Sequence, residues 1–290
     1  MHAHGPSSPG NPSTAARGGR LSRVLTPLCA LLLVACAGQT PNSGFTTIPS
    51  PSAGDVLDAE ITIADGRTLY VRCSGSGTPT LLLEAGDGDT NASYGFAERT
   101  LAAETRTCVY DRANLGLSGD APGPRGLDEL VGDLEQLLKN AEIPGPYVLV
   151  GTSGGGYITA GYAFEHPEQV SGMVFVETPA PYLNPPPELV AETAWDSPGN
   201  VENRDYLGVE VEAWSARTEI GDIPVVVISN DYGPDAADEG ERRNVEFQQG
   251  WLVLSPRAEQ VIVQTGHAVE EADPEFVIDV ILGVVRDARG

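Results

Sequence analysis

Gly151-Thr152-Ser153-Gly154-Gly155 sets one hydroxyl inside a G-x-S-x-G pattern. It lies where the apolar run YVLVGTS (147–153) gives way to the helix-like stretch ITAGYAFEHP. A serine on a sharp strand-to-helix turn presents its Oγ clear of the backbone, and this context is what a nucleophile elbow requires. Glycine at the flanking positions removes Cβ atoms that would strike the neighbouring strand and helix. The N-terminus of the following helix adds unpaired N–H groups and a positive dipole end, which favour negative charge developing beside the serine.

A serine hydroxyl is a weak nucleophile until a base takes its proton. Beyond residue 54 the histidines are His166 and His267. His166, in FEHPEQV, falls at the end of the helix after Ser153 and reads as a structural helix-end residue. His267, in VIVQTGHAVEEADP, follows the last apolar run and precedes the final helix. A histidine there suits a loop at the carboxyl edge of a sheet, so His267 is the expected base.

These side chains need a scaffold, and the apolar runs supply it. EITIA (60–64) and TLYVRC (68–73) flank Asp65-Gly66, a hairpin signal. PTLLLEAG (79–86), TRTCVYD (105–111), YVLVGTS (147–153), VSGMVFVE (170–177), IPVVVIS (223–229) and EQVIVQTG (259–266) follow. The later runs are nearly continuous in apolar residues, as expected of parallel strands buried on both faces. Helical spacing is clear in LDELVGDLEQLLKNA (127–141) and in DPEFVIDVILGVVRDA (273–288), where Asp273 is a candidate N-cap ahead of Pro274. An antiparallel pair followed by alternating strands and helices predicts an α/β fold with helices on both faces of an eight-stranded, mostly parallel sheet. The interval 178–222 breaks this rhythm. It is rich in proline, then carries Trp195, Tyr206 and Trp214, and reads as a short lid between strands six and seven.

The chain has 290 residues and a formal net charge of −24. All 41 acidic residues lie after residue 35, while three of the 17 basic residues precede it. So acidic a surface disfavours nucleic acid and anionic lipid headgroups as partners. Residues 1–35 combine a basic stretch with a short apolar run, LTPLCALLLVAC, too short to span a bilayer, and read as a signal peptide. Leu33-Val34-Ala35-Cys36 resembles the lipobox of bacterial lipoproteins, with Cys36 as the lipidated residue. Residues 36–54, rich in Pro, Ser, Thr and Gly, read as a flexible tether, and 55–290 as the folded domain. The chain is therefore expected on the outer face of a bacterial cell membrane, held by the lipid at Cys36, or secreted if the signal is of the ordinary kind. No metal or other cofactor is expected, since the histidines and cysteines lack ligand spacing.

The segments LLLEAGDGD, CVYDRANLGLS, VLVGTSGGG, SGMVFVE and the late Gly-His together resemble the α/β-hydrolase family over roughly residues 57–288. Asn114 stands in CVYDRANLGLS where glycine is usual. The resemblance implies the α/β-hydrolase fold with strand order 1-2-4-3-5-6-7-8. That order sets TLYVRC beside TRTCVYD and brings Cys73 and Cys108 within reach of a disulfide; two free buried thiols are the alternative. It also implies an oxyanion hole made by the backbone N–H groups of Gly154 and Asp87, with the Asp87 carboxylate turned away. Family members carry the histidine-orienting acid after strand six or strand seven. Glu177 holds the first position, Asp231 lies near the second, and Asp235 overshoots it.

The activity expected on this resemblance is that of a serine hydrolase of the carboxylesterase kind. It would cleave a small-molecule ester or amide through an acyl-enzyme. The alternatives are an aminopeptidase-like amide hydrolase and a catalytically silent surface binding protein on the same fold. Epoxide hydrolase and dehalogenase chemistry on this fold uses an aspartate nucleophile and is disfavoured by the serine.

Overall fold

The strands of the central sheet that lie between residues 80 and 230 split their side chains between two apolar layers, so their continuous apolar runs are explained by burial on both faces. The computed structural model describes residues 56–290, apart from 183, 237 and 238. The expected signal peptide, the Cys36 anchor and the tether lie outside the described residues, as does the side chain of Asp235.

The strands are β1 (Leu57–Thr62), β2 (Thr68–Ser74), β3 (Thr80–Glu84), β4 (Thr107–Tyr110), β5 (Tyr147–Thr152), β6 (Val170–Val176), β7 (Val225–Asn230) and β8 (Ala258–Val263). They form one eight-stranded sheet in the order β1-β2-β4-β3-β5-β6-β7-β8. β1 pairs antiparallel with β2, and β2 antiparallel with β4; the remaining neighbours are parallel. The helices are α1 (Glu98–Glu104), α2 (Leu127–Asn140), α3 (Gly155–Glu165), α4 (Pro187–Thr193), α5 (Tyr206–Ser215), α6 (Glu239–Arg242), α7 (Asn244–Gln248), α8 (Val269–Ala272) and α9 (Pro274–Arg289).

In β3, Leu82 faces one apolar cluster while Leu81 and Leu83 face the other; in β5, Leu149 opposes Val148 and Val150 in the same way. The first cluster gathers α2 and α3 through Val131, Leu134, Leu137 and Ile158. The second gathers α1 and α9 through Leu101, Val277 and Ile281. β8 departs from the expectation of two-sided burial. It is an edge strand, and its residues are half-buried or exposed, Ile262 among the latter.

The hairpin between β1 and β2 turns through Asp65 and Gly66, both at positive φ. Cys73 and Cys108 stand directly opposite each other in the β2–β4 pair and are joined by a disulfide. Asp273 caps α9, its carboxylate accepting from the Phe276 N–H at 3.1 Å. The interval 178–222 carries α4 and α5 between β6 and β7. Its 200–205 turn binds the segment after β4. Asn203 O accepts from Arg125 N, Arg125 O accepts from Asp205 N, and Asn114 Nδ2 donates to Glu202 O. Asn114, at φ 71°, takes the left-handed conformation that a glycine would supply, and its amide adds the bond to the insertion.

Candidate active site

Ser153 follows β5 directly and sits at φ 47°, in the left-handed region that a non-glycine residue adopts only under constraint. Its N–H donates to Val176 O at 2.8 Å and its carbonyl accepts from Gly156 N, so the turn is fixed from both sides. The surrounding glycines are needed for space. A Cβ on Gly151 would run into the backbone of Gly156, and one on Gly155 into the Ala85 carbonyl at the end of β3. This close approach brings the start of α3 beneath the nucleophile.

His267 lies on the loop after β8. Its Nε2 is 2.9 Å from Ser153 Oγ, and its Nδ1 is 3.4 Å from Glu177 Oε2. With the proton on Nδ1, the imidazole donates to Glu177 and accepts from Ser153. Hydrogen bonding to Glu177 raises the His267 pKa above the ordinary histidine value against the opposing effect of burial, with the charges of Glu177, Glu270 and Asp87 adding to the rise.

Glu177, immediately after β6, is 2% exposed. Its Oε1 accepts from Asn230 N at 2.7 Å, Asn244 Nδ2 at 2.8 Å and Gln248 Nε2 at 2.8 Å, and its Oε2 from Tyr232 OH at 3.1 Å. Burial opposes its ionisation, but the bonds from His267, Asn230, Asn244 and Gln248 outweigh burial and hold the carboxyl below the ordinary range. Asp231 is exposed. It accepts from Gly233 N at 2.9 Å and does not share the Glu177–His267 contact. The geometry therefore brings Ser153, His267 and Glu177 together and leaves Asp231 out. His166 caps the end of α3 with its ring against Tyr162, as its position in the sequence suggested.

Among the described residues, no protein group accepts from the N–H of Gly154 or from that of Asp87. Both amides are thus left open on the segments that flank Ser153. The Asp87 side chain departs from expectation: it does not turn away. It folds against the Cα of Gly154, filling the space where a Cβ would be, and its Oδ1 accepts from Arg204 Nη1 at 2.5 Å. Arg204 is fully buried, and its Nη2 donates to the Gly154 carbonyl at 3.1 Å. The charge that would oppose an oxyanion is neutralised by this guanidinium rather than removed.

The sequence reading did not find Arg204, Glu202, Asn230, Tyr232, Asn244 or Gln248. Each acts through a contact distant in the chain. Only Asn230, a polar residue closing an apolar strand, stands at a position where a sequence signal is visible.

The chain matches the family model described as α/β hydrolase fold over residues 79–211. The chain has the α/β-hydrolase fold. It is 34% identical over 103 residues to YqjL, an uncharacterised protein of Bacillus subtilis (strain 168), a match covering 36% of this chain and 41% of that protein. It thus spans about two fifths of the length of that relative. Among solved structures, a thermophilic esterase from Thermogutta terrifontis superposes with a TM-score of 0.62 at 19% identity, covering 81% of this chain and all of the other. An esterase from Exiguobacterium antarcticum superposes with a TM-score of 0.61 at 17% identity, covering 79% of this chain and all of the other. At these identities the likeness is one of fold, which by itself carries no chemistry.

Proposed function

We propose that this α/β-hydrolase is a serine hydrolase that cleaves a small-molecule ester, or an amide, through an acyl-enzyme. The observation that carries this reading is the 2.9 Å contact between Ser153 Oγ and His267 Nε2, with Glu177 on the far side of the imidazole. Ser153 Oγ attacks the substrate carbonyl while Nε2 takes its proton. The Gly154 and Asp87 amides receive the oxyanion, and the imidazolium returns the proton to the leaving group. Water then repeats the sequence on the acyl-serine and releases the acid. Glu177 remains ionised throughout; it fixes the tautomer and stabilises the charged imidazole.

The test is labelling by a fluorophosphonate together with turnover of p-nitrophenyl esters and aminoacyl anilides, each run on the wild type and on Ser153→Ala. The hydrolase labels and turns over, and the variant does neither. A protein that does not label, and whose ligand affinity survives Ser153→Ala, is the silent binding protein instead. Preference for the anilides would mark an aminopeptidase-like enzyme. Carriage as a lipoprotein is part of the proposal. It rests on Leu33-Val34-Ala35-Cys36 and predicts incorporation of labelled palmitate that Cys36→Ser abolishes.

A further inference from the structure

The end of β3 and the insertion between β6 and β7 are joined by a buried network of charges that the proposed reaction does not itself use. Arg112, after β4, is 4% exposed and all five of its N–H groups are committed. Its Nη1 donates to Glu84 Oε1 and to Ala85 O, both at 2.7 Å. Its Nη2 donates to Gly86 O at 2.6 Å and to Glu202 Oε1 at 2.8 Å, and its Nε donates to Glu202 Oε2 at 2.7 Å. Glu202 is 1% exposed and also accepts from Gly88 N at 2.7 Å. Arg204, two residues on, holds the Asp87 carboxylate and the Gly154 carbonyl.

The consequence lies in the Gly86–Asp87 peptide. A peptide unit is planar and trans, so its C=O and N–H point in opposite directions. Arg112 fixes the Gly86 carbonyl, and this fixes the direction of the Asp87 N–H, one of the two amides left open beside Ser153. Glu202 holds Arg112 in place bidentately and anchors the next amide, that of Gly88. Arg204 then ties the Asp87 side chain to the residue that carries the second open amide, Gly154.

We propose that the 202–204 turn of the insertion aims the oxyanion donors, with Glu202 and Arg204 as positioning residues that act through Arg112 and Asp87. The sheet and the elbow alone do not complete the hole; the insertion does. This rests on the serine hydrolase reading for its catalytic effect but not for its structural one. The geometry assigns the insertion a part in catalysis.

The experiment uses the full folded chain with Glu202→Gln, Arg204→Met and Arg204→Lys, and takes two readouts. The first is amide hydrogen exchange in a peptide spanning residues 85–95, which requires no activity. Glu202→Gln and Arg204→Met are expected to speed exchange there and leave β5 and β6 as in the wild type. The second is steady-state ester hydrolysis with inhibition by an aryl boronic acid, whose tetrahedral adduct on Ser153 places an oxygen in the hole. Displacing a donor by about an ångström costs on the order of 100-fold, so kcat should fall roughly 30- to 100-fold with KM nearly unchanged. The boronate inhibition constant should rise in step, and Arg204→Lys should recover part of the loss. In Arg204→Met, Asp87→Asn should add little further loss, because Arg204 acts through that carboxylate.

Wild-type exchange in the 85–95 peptide of both variants would overturn the proposal. So would unchanged kcat and boronate affinity in variants of an active wild type. If Glu202→Gln does not fold, Arg204→Met and Arg204→Lys carry the same test. Faster loop exchange in the variants of a wild type that neither labels with the fluorophosphonate nor turns over an ester or an anilide would sink the hydrolase reading and still support the brace.

Discussion

The backbone N–H of Asn230 donates to Oε1 of Glu177 at 2.7 Å, and the Oδ1 of the same asparagine accepts from Thr265 N and Gly266 N at 2.8 and 2.9 Å. One residue at the end of β7 thus holds both the buried acid and the loop that carries His267. The carboxylate that meets His267 comes from the end of β6, and Asp231, next to Asn230, stays outside the contact. Replacing Glu177 by glutamine keeps the shape but removes the charge that stabilises the imidazolium and sets its tautomer. The expected loss in kcat is about 1,000- to 10,000-fold. Asp231→Asn should stay within about twofold of the wild type. Parallel kinetics on the two variants check this, and a large loss in Asp231→Asn with none in Glu177→Gln would reverse the assignment.

The pH dependence of turnover follows from His267. The base must be neutral to accept the Ser153 proton, and hydrogen bonding to Glu177 raises its pKa above the ordinary value of 6.5. Activity is therefore lost on the acid side of a midpoint that lies above 6.5, and regained as pH rises through it. In Glu177→Gln the residual activity should show this midpoint moved down. The measurement is kcat/KM against pH for both proteins. A wild-type midpoint below 6.5, or one unmoved in the variant, would contradict the pairing.

Much of this site was legible in the residues, and the reasons can be traced. Ser153 and His267 sit at strand ends whose apolar runs are unmistakable, and a turn that must pack against a helix demands glycines that the sequence displays. The Cys73–Cys108 bond followed from the strand order that the family resemblance implied. The Glu177–Asp231 choice did not follow, because both acids close apolar strands; only the burial of one and the exposure of the other separates them. The insertion was visible as a break in rhythm, but its contacts were not. Glu202 meets Arg112 across 90 residues and Arg204 meets Asp87 across 117, and no local period encodes such pairs. For the same reason the Asp87 side chain was misplaced: turning away is one answer to its charge, and a buried guanidinium is the other.

Glu202 should also mark the acid limit of stability. Burial works against its charge, but the Arg112 ion pair and hydrogen bonds, with help from Arg204 and the Gly88 amide, lower its pKa from 4.5 to about 2. A carboxyl depressed by folding contributes stability above its unfolded pKa, and that stability is lost as pH falls through the folded value. For this shift the contribution is about 3 kcal/mol, present above pH 4.5 and lost progressively towards pH 2. Glu202→Gln should therefore be less stable at pH 6, with the gap from the wild type narrowing as the pH drops over that window. Urea unfolding at a series of pH values reads this directly, and a gap that stays constant to pH 2 would show that Glu202 is not the titrating group.

The disulfide supplies the last expectation. Cys73 and Cys108 are fully buried within the apolar cluster under α2 and α3, so reductant should reach the bond only when the protein opens. The bond closes a segment of 35 residues that contains β3 and α1, and thereby restricts the unfolded chain. For a loop of that length the chain-entropy contribution is about 4 kcal/mol. The double variant Cys73→Ala, Cys108→Ala should lose roughly that stability, plus a smaller amount for the truncated side chains, while the folded fraction keeps its kcat. Denaturant titration with and without reductant, alongside turnover at low temperature, checks both halves. A native protein that takes up thiol label at these positions without denaturant would mean that the bond is absent. A fall in kcat at full folding would mean that the bond shapes the site as well as the fold.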